Sequence, residues 1–170
     1  MSKLSIEGRP FGMKDVCGLA IRHRLAMADL VLGFASLDTH LSNWMVEAFQ
    51  MRSDRAALLL QHMSISTKYR KLILLFDHEG QPEKAKWLKK SKNAFEIQGE
   101  VRNLVCHAEC IGVWRAEPDL VAFVPLNYVP GLPATLEIEL RSLKQMEVAT
   151  KWAAEQVGLV IDAWTTDSTP

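Results

Sequence analysis

The sequence lacks any excess of charge of one sign. Its 170 residues contain 20 lysines and arginines against 20 aspartates and glutamates, so the formal net charge at neutral pH is zero. A balanced chain has no long-range field that would draw it to nucleic acid or to an acidic membrane surface. Any contact with nucleic acid therefore has to be local and made by a particular cluster of side chains.

Cysteines and long apolar runs are scarce as well. Three cysteines, two of them four residues apart, do not make the disulfide framework of a small secreted domain. No apolar run approaches the roughly 20 residues that would span a bilayer. Charged residues interrupt the apolar ones near the N-terminus, so the core of a signal peptide is missing there. We expect a cytoplasmic protein without a membrane partner.

Internal repeats, linkers and low-complexity blocks are also missing. A chain of this length is expected to fold as one domain and to bury roughly two-thirds of its unfolded surface. We predict a single domain over residues 1–170, with a loose lead-in over residues 1–12 and a frayed tail over residues 165–170.

Apolar residues recur at steps of three and four in several stretches, which is typical of amphipathic helices. The spacing predicts four helices before the last one, over residues 15–50, 53–62, 64–77 and 82–112. The last helix is predicted to begin at a capping box, in which Ser142 and Gln145 have the required spacing.

The pattern changes between the fourth and the last helix. Residues 114–124 read as two short β-prone arms around a Pro118-Asp119 turn, which predicts a small hairpin. Residues 134–139 are expected to add a short strand. The fold class that follows is mainly α, a four- to five-helix up-and-down bundle with a small β-hairpin before the last helix.

The stretch around residues 101–110 combines helical periodicity with chemically active side chains. One face is an apolar stripe made of Ile97, Val101, Leu104, Ala108 and Ile111. The opposite face has small, thiol, aromatic and polar residues where solvated charges would be expected: Phe95, Gly99, Arg102, Asn103, Cys106, His107 and Cys110. We infer that this second face is also covered, and a charged side chain on a covered face needs a partner.

Within this stretch, Arg102-Asn103-x-x-x-His107 resembles the Arg-x(4–6)-His signature of the HEPN superfamily, in which a polar residue, often Asn, commonly follows the Arg. The helical layout, the position of the motif late in the chain and the final amphipathic helix are similar too. The resemblance covers most of the chain as architecture and three residues as chemistry.

The resemblance implies a metal-independent endoribonuclease, of a toxin or defence system, that needs no cofactor. It places Arg102, Asn103 and His107 at a composite catalytic site formed by two copies of the motif across a homodimer. The interface is then expected on the second face, at Phe95, Gly99, Cys106 and Cys110. The partners implied are RNA, a second copy of the chain and an antitoxin or other protein.

The residue types suit RNA cleavage. A histidine titrates near neutral pH, so His107 can take a proton from a ribose 2′-hydroxyl or give one to the leaving 5′-oxygen. Arg102 can bridge two phosphate oxygens, and Asn103 can orient the imidazole or donate to the phosphate. At about 100° per residue, Arg102 and His107 lie about 140° apart on a helix. They straddle the covered face, which fits a cleft completed by a second subunit.

Ordinary structural roles are alternatives for the same residues. Asn103 and His107, four residues apart, can form a hydrogen-bonded pair within the helix, and Arg102 can form a salt bridge with Asp38 or Glu47. The matching alternative function is a catalytically inactive HEPN-like helical dimer that binds a nucleotide or a protein partner through the same cleft.

A metal site is not predicted. Cys106, His107 and Cys110 lie within about one helical turn, and three ligands so placed do not close a tetrahedral zinc site. Glu109 stands where some HEPN toxins have a tyrosine that a partner nucleotidyltransferase modifies, so regulation of that kind is not expected. A carboxylate at Glu109 would also repel RNA phosphate unless it is paired or turned away.

Local basic clusters are the remaining candidates for contact with RNA. Lysines of residues 84–92 alternate with apolar residues, which is typical of a solvated helix face. The functional alternative is a strip that follows the phosphate backbone. On that interpretation Lys68, Lys89 and Lys90 bind RNA, and Trp114 forms a wall of the cleft.

Overall fold

The computed structural model describes residues 16–125 and 138–167. The elements in chain order are β1 (Val16–Cys17), α1 (Ile21–Ala48), α2 (Ser53–Leu60), α3 (Ile65–His78), α4 (Pro82–His107), β2 (Ala108–Trp114), β3 (Leu120–Pro125), β4 (Glu139–Ser142) and α5 (Leu143–Asp167). The predicted fold class, mainly helical with a small antiparallel strand region before the last helix, is confirmed. Among the helices described, none has an apolar stretch long enough to cross a membrane.

Several predicted features fall wholly or partly outside the described residues. The lead-in over residues 1–12 lies outside them, as does most of the strand predicted over residues 134–139. Within the described part, β4 shares only Glu139 with that strand and continues to Ser142. Of the predicted frayed tail, residues 165–167 belong to α5 and the last three lie outside the described range.

The chain divides into two compact units. The first, here called the sheet unit, takes its described residues from 1–31 and 100–150. The second, the helical unit, takes them from 32–99 and 151–170. Helices α1, α4 and α5 contribute residues to both units.

The core of the helical unit is built from the stripes that the spacing predicts. Its α3 residues at steps of four, three and four are all buried: Ile65, Tyr69, Leu72 and Phe76. In α1 the buried stripe includes Phe34 and Trp44. The Trp44 ring centre lies 5.3 Å from that of Phe76, and the Phe34 ring centre lies 5.8 Å from that of Trp152. Because aromatic side chains bury large apolar areas, these contacts contribute to the stability of the unit.

Two buried polar groups of this unit, the Tyr69 hydroxyl and the Gln156 side-chain oxygen, have no hydrogen-bond partner among the described residues. Tyr69 is fully buried, and its hydroxyl forms no hydrogen bond with any described residue. Leaving a buried hydroxyl unpaired costs about 1–3 kcal/mol. We therefore expect Tyr69→Phe to raise the free energy of unfolding by about 1 kcal/mol, as measured by urea denaturation. A destabilisation of that size would show that the hydroxyl has a partner after all.

The same residue predicts an alkaline effect. Burial raises the pKa of the Tyr69 hydroxyl well above its ordinary value. A group whose folded pKa is raised contributes stability that is fully present below its unfolded pKa, about 10, and is lost as pH rises further. The loss of stability between about pH 9 and pH 11 should therefore be smaller in Tyr69→Phe than in the wild type. Equal losses in both proteins would contradict this.

The sheet unit contains four antiparallel strands in the order β1-β2-β3-β4. Strand β2 pairs with β3 from Ala108, opposite Pro125, to Val113, opposite Val121, with a register shift between Cys110 and Gly112. The predicted hairpin is thus present. Its turn over residues 115–119 contains the expected Pro118-Asp119 dipeptide.

A buried histidine joins this hairpin to α1. The backbone N–H of Ala20 donates to Nδ1 of His23 at 3.1 Å, the geometry of a side chain that caps the helix start. Because Nδ1 accepts, the proton is on Nε2, which donates to the Pro118 carbonyl at 2.8 Å. Beside it, Arg22 forms a salt bridge with Asp119 at 3.0 Å. The N-terminus of α1 and the hairpin turn are therefore held together.

Gly112 is required at the bulge in β2. Its φ of +134° lies in the region that side chains rarely adopt, and a Cβ would lie 2.5 Å from the Cys17 carbonyl oxygen. Gly112→Ala should lower the free energy of unfolding by about 1–3 kcal/mol, measured by chemical denaturation. In contrast, Gly158 lies within α5 with open space around it, so Gly158→Ala should stabilise by about 0.5–1 kcal/mol. Similar effects of the two changes would rule out this explanation.

Two helix boundaries are predicted from specific residues. The start of α5 forms as predicted, and the end of α4 does not. At the start of α5 the Gln145 N–H donates to the Ser142 hydroxyl at 3.1 Å, and the Ser142 N–H donates to the Gln145 side chain at 2.9 Å, so the capping box forms. The predicted end of α4 near Gly112 is wrong, since the helix stops at His107. The next seven residues form β2, most of which pairs with β3, and this long-range pairing overrides their helical periodicity.

Candidate functional site

The motif occupies the last turns of α4, in the sheet unit. Val101 and Leu104 are buried and anchor this part of the helix. The rest of the predicted apolar stripe does not form. Ile97 is 57% exposed, while Ala108 and Ile111 lie in β2 rather than on the helix.

Arg102 is half-buried and has no counter-charge among the described residues. Its Nη1 donates to the Asn103 side-chain oxygen at 3.1 Å. Its Nε is buried without a hydrogen-bond partner, and Arg102 forms no ion pair with any described residue. A charge on a partly covered face is costly when it is not compensated. This guanidinium therefore favours an anionic group that the described residues do not supply.

His107 is the last residue of α4, and its side chain is exposed. Within residues 16–125 and 138–167, no hydrogen bond is made by its imidazole. The alternative of a structural Asn103–His107 pair does not form, because the Asn103 oxygen accepts from Arg102 instead. The structure thus brings Arg102 and Asn103 together and leaves His107 available to solvent and to a ligand.

The two cysteines near the motif differ in their surroundings. Cys106 is exposed on α4, whereas Cys110 is half-buried in β2. Burial raises the pKa of the Cys110 thiol, and a backbone hydrogen bond from Gly112 offsets part of that rise. A thiol that stays protonated is a poor nucleophile and a poor metal ligand. Among the described residues, no three His, Cys, Asp or Glu side chains are grouped to hold a metal ion.

The other two predicted interface residues lie in the helical unit and are engaged there. The Phe95 ring centre lies 6.1 Å from that of Phe34 and 6.2 Å from that of Tyr69. Gly99 is buried, and a Cβ at this position would lie 3.3 Å from the Phe95 ring. Both residues serve packing within the unit, so Cys106 is the exposed member of the predicted interface.

The predicted RNA-binding lysines have different environments. Lys68 is 2% exposed, and its Nζ donates to the Asp38 carboxylate at 2.6 Å, so it is a structural cation and not an RNA contact. Lys89 is exposed and forms an ion pair with Asp77 at 2.9 Å. Lys90 is exposed and forms no ion pair within the described part of the chain. Of the three lysines predicted to bind RNA, Lys89 and Lys90 therefore lie on the surface and Lys68 does not.

Two further residues flank the motif on β2. Trp114 is half-buried and lies opposite Val16 in the sheet. Glu109 is exposed and lies opposite Val124. Its carboxylate forms no ion pair with the residues that the structure describes. Two residues after His107, it remains a charge that an approaching phosphate would meet.

The polar contacts of the helical unit are not predicted by the sequence. Nothing in the local spacing pairs Lys68 with Asp38, 30 residues earlier. Nor does it pair the indole of Trp164 with the carboxylate of Glu47, to which it donates across 117 positions of sequence. The one signal in the sequence was the position of Lys68 on the apolar face of a predicted helix, where a cation needs a partner.

No protein-family model, curated protein or solved structure matches this chain. The chemistry of the site therefore depends on its own groups. These are a guanidinium that no described carboxylate compensates, the amide that holds it and an exposed imidazole. Such groups can bind an anion and transfer a proton, although the described residues do not join them in one hydrogen-bonded network.

Proposed function

We propose that this chain is a metal-independent endoribonuclease whose site is completed by a second copy of itself. The observation that carries the proposal is the half-buried guanidinium of Arg102, which has an amide partner and no carboxylate among the described residues. A phosphodiester supplies the missing negative charge, and its two non-bridging oxygens match the donors of a guanidinium. The bond to Asn103 limits the conformations of Arg102 before the substrate arrives.

The chemistry follows from the exposed imidazole. One His107, in its neutral form, takes the proton of the ribose 2′-hydroxyl, and the 2′-oxygen attacks the adjacent phosphorus. The bond from phosphorus to the 5′-oxygen breaks, and the leaving oxygen takes a proton from the His107 of the second copy. Arg102 stabilises the extra charge on the phosphoryl oxygens in the transition state. The products are a 2′,3′-cyclic phosphate and a free 5′-hydroxyl.

The need for a second copy rests on geometry. Arg102 and His107 lie about 140° apart around α4 and share no hydrogen bond. One copy alone therefore supplies a single imidazole and does not enclose a phosphate. Two copies related by a two-fold axis place the Arg102 of each opposite the His107 of the other.

The direct test is cleavage of a long, mixed-sequence RNA in the presence of EDTA. We expect internal cuts that leave 2′,3′-cyclic or 3′-phosphate ends, since the 2′-oxygen is the nucleophile. Replacing the scissile nucleotide by its 2′-deoxy analogue should stop cleavage without preventing binding. If no RNA is cut but nucleotide or RNA binding is measured, the chain is the non-catalytic dimer instead.

Assembly is tested separately. Sedimentation should show a dimer at micromolar concentration, and Cys106→Arg should shift it to monomer and abolish cleavage. Cys17→Arg is the matched control, since Cys17 is also an exposed thiol but lies on β1. Gly99→Glu is unsuitable, because Gly99 is enclosed against Phe95 and the change would disturb folding. A wild-type monomer that still cleaves RNA would remove the composite site.

A further inference from the structure

Helix α1 carries uncharged side chains on two opposite sides. One side is buried and includes Phe34 and Trp44 of the core. The other side, here called the α1 seam, is exposed at six positions that recur at steps of four and three: Ile21, Leu25, Ala28, Leu32, Ala35 and Thr39. At about 100° per residue, these six positions fall within about 80° of one another around the helix.

The α1 seam exposes more apolar surface than scattered surface residues do. Ile21 is 71%, Leu25 55% and Leu32 66% exposed. The Thr39 hydroxyl donates to the Ala35 carbonyl at 3.0 Å, so this polar group is satisfied within the helix. Single exposed apolar residues are common on any protein, whereas a continuous apolar strip marks a surface that contacts a partner.

The spacing of the α1 seam suits a second helix. Apolar residues at alternating steps of three and four are what two helices use to pack along their length. Leu25 and Leu32 alternate with Ala28 and Ala35, so large side chains fill the space between helices whose backbones approach closely. Because α1 is already folded in each chain, pairing does not require a new helix to form.

The charges beside the α1 seam point to the identity of that helix. Arg24 lies on one flank and Asp29 on the other, both are exposed, and neither forms an ion pair with a described residue. One charge of each sign makes the surface complementary to itself. We propose that the α1 seam binds a second copy of the chain, with the two α1 helices parallel and in register. In that arrangement, the Arg24 of each copy faces the Asp29 of the other, five positions further along.

An antiparallel pair matches these charges less well. It places residues of the same flank opposite each other, so Asp29 meets Arg22 and Arg24 meets Asp38 at best. Both of those groups are already paired within the chain, Arg22 with a hairpin aspartate at 3.0 Å and Asp38 with a buried lysine at 2.6 Å. The parallel direction therefore pairs the two charges that have no ion-pair partner among the described residues.

The length of the α1 seam sets the strength of the contact. From Ile21 to Thr39 it extends about 27 Å, at 1.5 Å per residue. Two single helices in contact over this length bury less than the roughly 800 Å² per partner of a standard interface, so we expect pairing at about 10–300 µM protein. The contact is separate from the interface proposed at Cys106 and does not depend on the ribonuclease function. A dimer joined at Cys106 should form larger assemblies as its concentration rises.

Disulfide trapping tests the contact and its direction. In a chain with Cys17→Ser and Cys106→Ser, which lacks the two exposed thiols, Leu25→Cys should form a disulfide-linked dimer on mild oxidation at about 100 µM protein. Equivalent seam positions face each other only in a parallel, in-register pair. Leu58→Cys in the same chain is the matched control, since Leu58 is 70% exposed but lies on α2. The proposal is overturned if the two variants are trapped at the same rate.

Charge reversal tests the pairing of Arg24 with Asp29. Sedimentation equilibrium of the Cys106→Arg chain follows self-association at α1 without the interface proposed on α4. In that chain Arg24→Glu and Asp29→Arg should each weaken association about three- to ten-fold, since each change turns two attractive pairs into repulsive ones. The double variant should restore association, because the reversed charges meet again across the two-fold axis. A double variant as weak as the single ones contradicts the proposed pairing.

Leu25→Glu tests the apolar contact in the same chain. It places a charge in the α1 seam and should abolish association, whereas Leu58→Glu should leave it unaltered. Both positions are exposed, so neither change should unfold the protein, and melting temperatures check this. If the parent chain does not associate up to about 300 µM, or if Leu25→Glu associates as the parent does, the α1 seam does not bind a second copy.

Discussion

Replacing Asp38 with alanine should destabilise the protein by about 3 kcal/mol, because it leaves the buried Lys68 ammonium without its counter-charge. Lys68 is 2% exposed and its Nζ lies 2.6 Å from the Asp38 carboxylate. Breaking an enclosed pair by removing one partner typically costs about 3–5 kcal/mol. Asp38 itself is 40% exposed, so the lower end of that range applies.

The opposite change should be mild. Lys68→Met removes the charge and fills the same space with an apolar side chain, so it should alter the free energy of unfolding by about 1 kcal/mol or less. Combining it with Asp38→Ala should restore most of the stability that Asp38→Ala loses, since no unpaired ammonium remains. Urea denaturation of the two single variants and the double variant measures this coupling directly.

A matched control comes from the surface of the same unit. Asp77 pairs with Lys89 at 2.9 Å, but both side chains are exposed. Asp77→Ala should therefore cost only about 0.2–1 kcal/mol. If Asp38→Ala costs no more than Asp77→Ala, the Lys68 ammonium reaches water, and Lys68 returns as a candidate for RNA binding.

Much of the helical fold could be predicted because local spacing and burial agree. The α3 stripe, with its steps of four, three and four, is buried at every position. Ser64 accepts from the Thr67 N–H at 3.2 Å and starts α3 where the sequence predicts a helix. The positive φ of Gly80 ends the same helix. Each of these signals acts within one or two helical turns, so it is visible in the sequence.

The strand that follows the motif could not be predicted in the same way. Ala108 and Ile111 continue the helical spacing of Val101 and Leu104, yet both lie in β2, where Ala108 pairs with Pro125 of β3 and Ile111 falls at the register shift. Gly112 has the signal expected of a helix end but serves at a bulge, because β1 approaches it closely. What decides the conformation here is contact with distant residues, which the local pattern does not contain.

At the candidate site, too, one part could be predicted from the sequence and another part could not. The spacing of Arg102 and His107 is visible in the sequence, and it defines which groups are present. Whether Arg102 has a counter-charge depends on residues far along the chain, so only the structure reveals that none of the described carboxylates pairs with it. The sequence likewise does not reveal that Lys68 is enclosed and that Lys90 is not.

Replacing His107 with alanine should reduce RNA cleavage about 10²–10⁴-fold, the usual contribution of general acid–base catalysis. Because the side chain is exposed and forms no hydrogen bond with the described residues, the free energy of unfolding should change by less than about 0.5 kcal/mol. His62→Ala is the control, since His62 is also exposed but lies outside the motif. Initial rates on one RNA, with melting temperatures alongside, measure both quantities.

Arg102 gives the companion result and separates catalysis from structure. Arg102→Leu should raise the activation free energy of cleavage by about 3–4 kcal/mol, judged from the removal of single donors at other sites. It should not destabilise the fold, because it removes a charge that no described carboxylate compensates and an Nε that is buried without a partner. If both variants cleave as the wild type does, or if Arg102→Leu melts several degrees lower with no activity to lose, these residues form a structural polar cluster. If the loss of Arg102 lowers activity and leaves the free energy of unfolding unchanged, the substrate supplies the negative charge that pairs with its guanidinium.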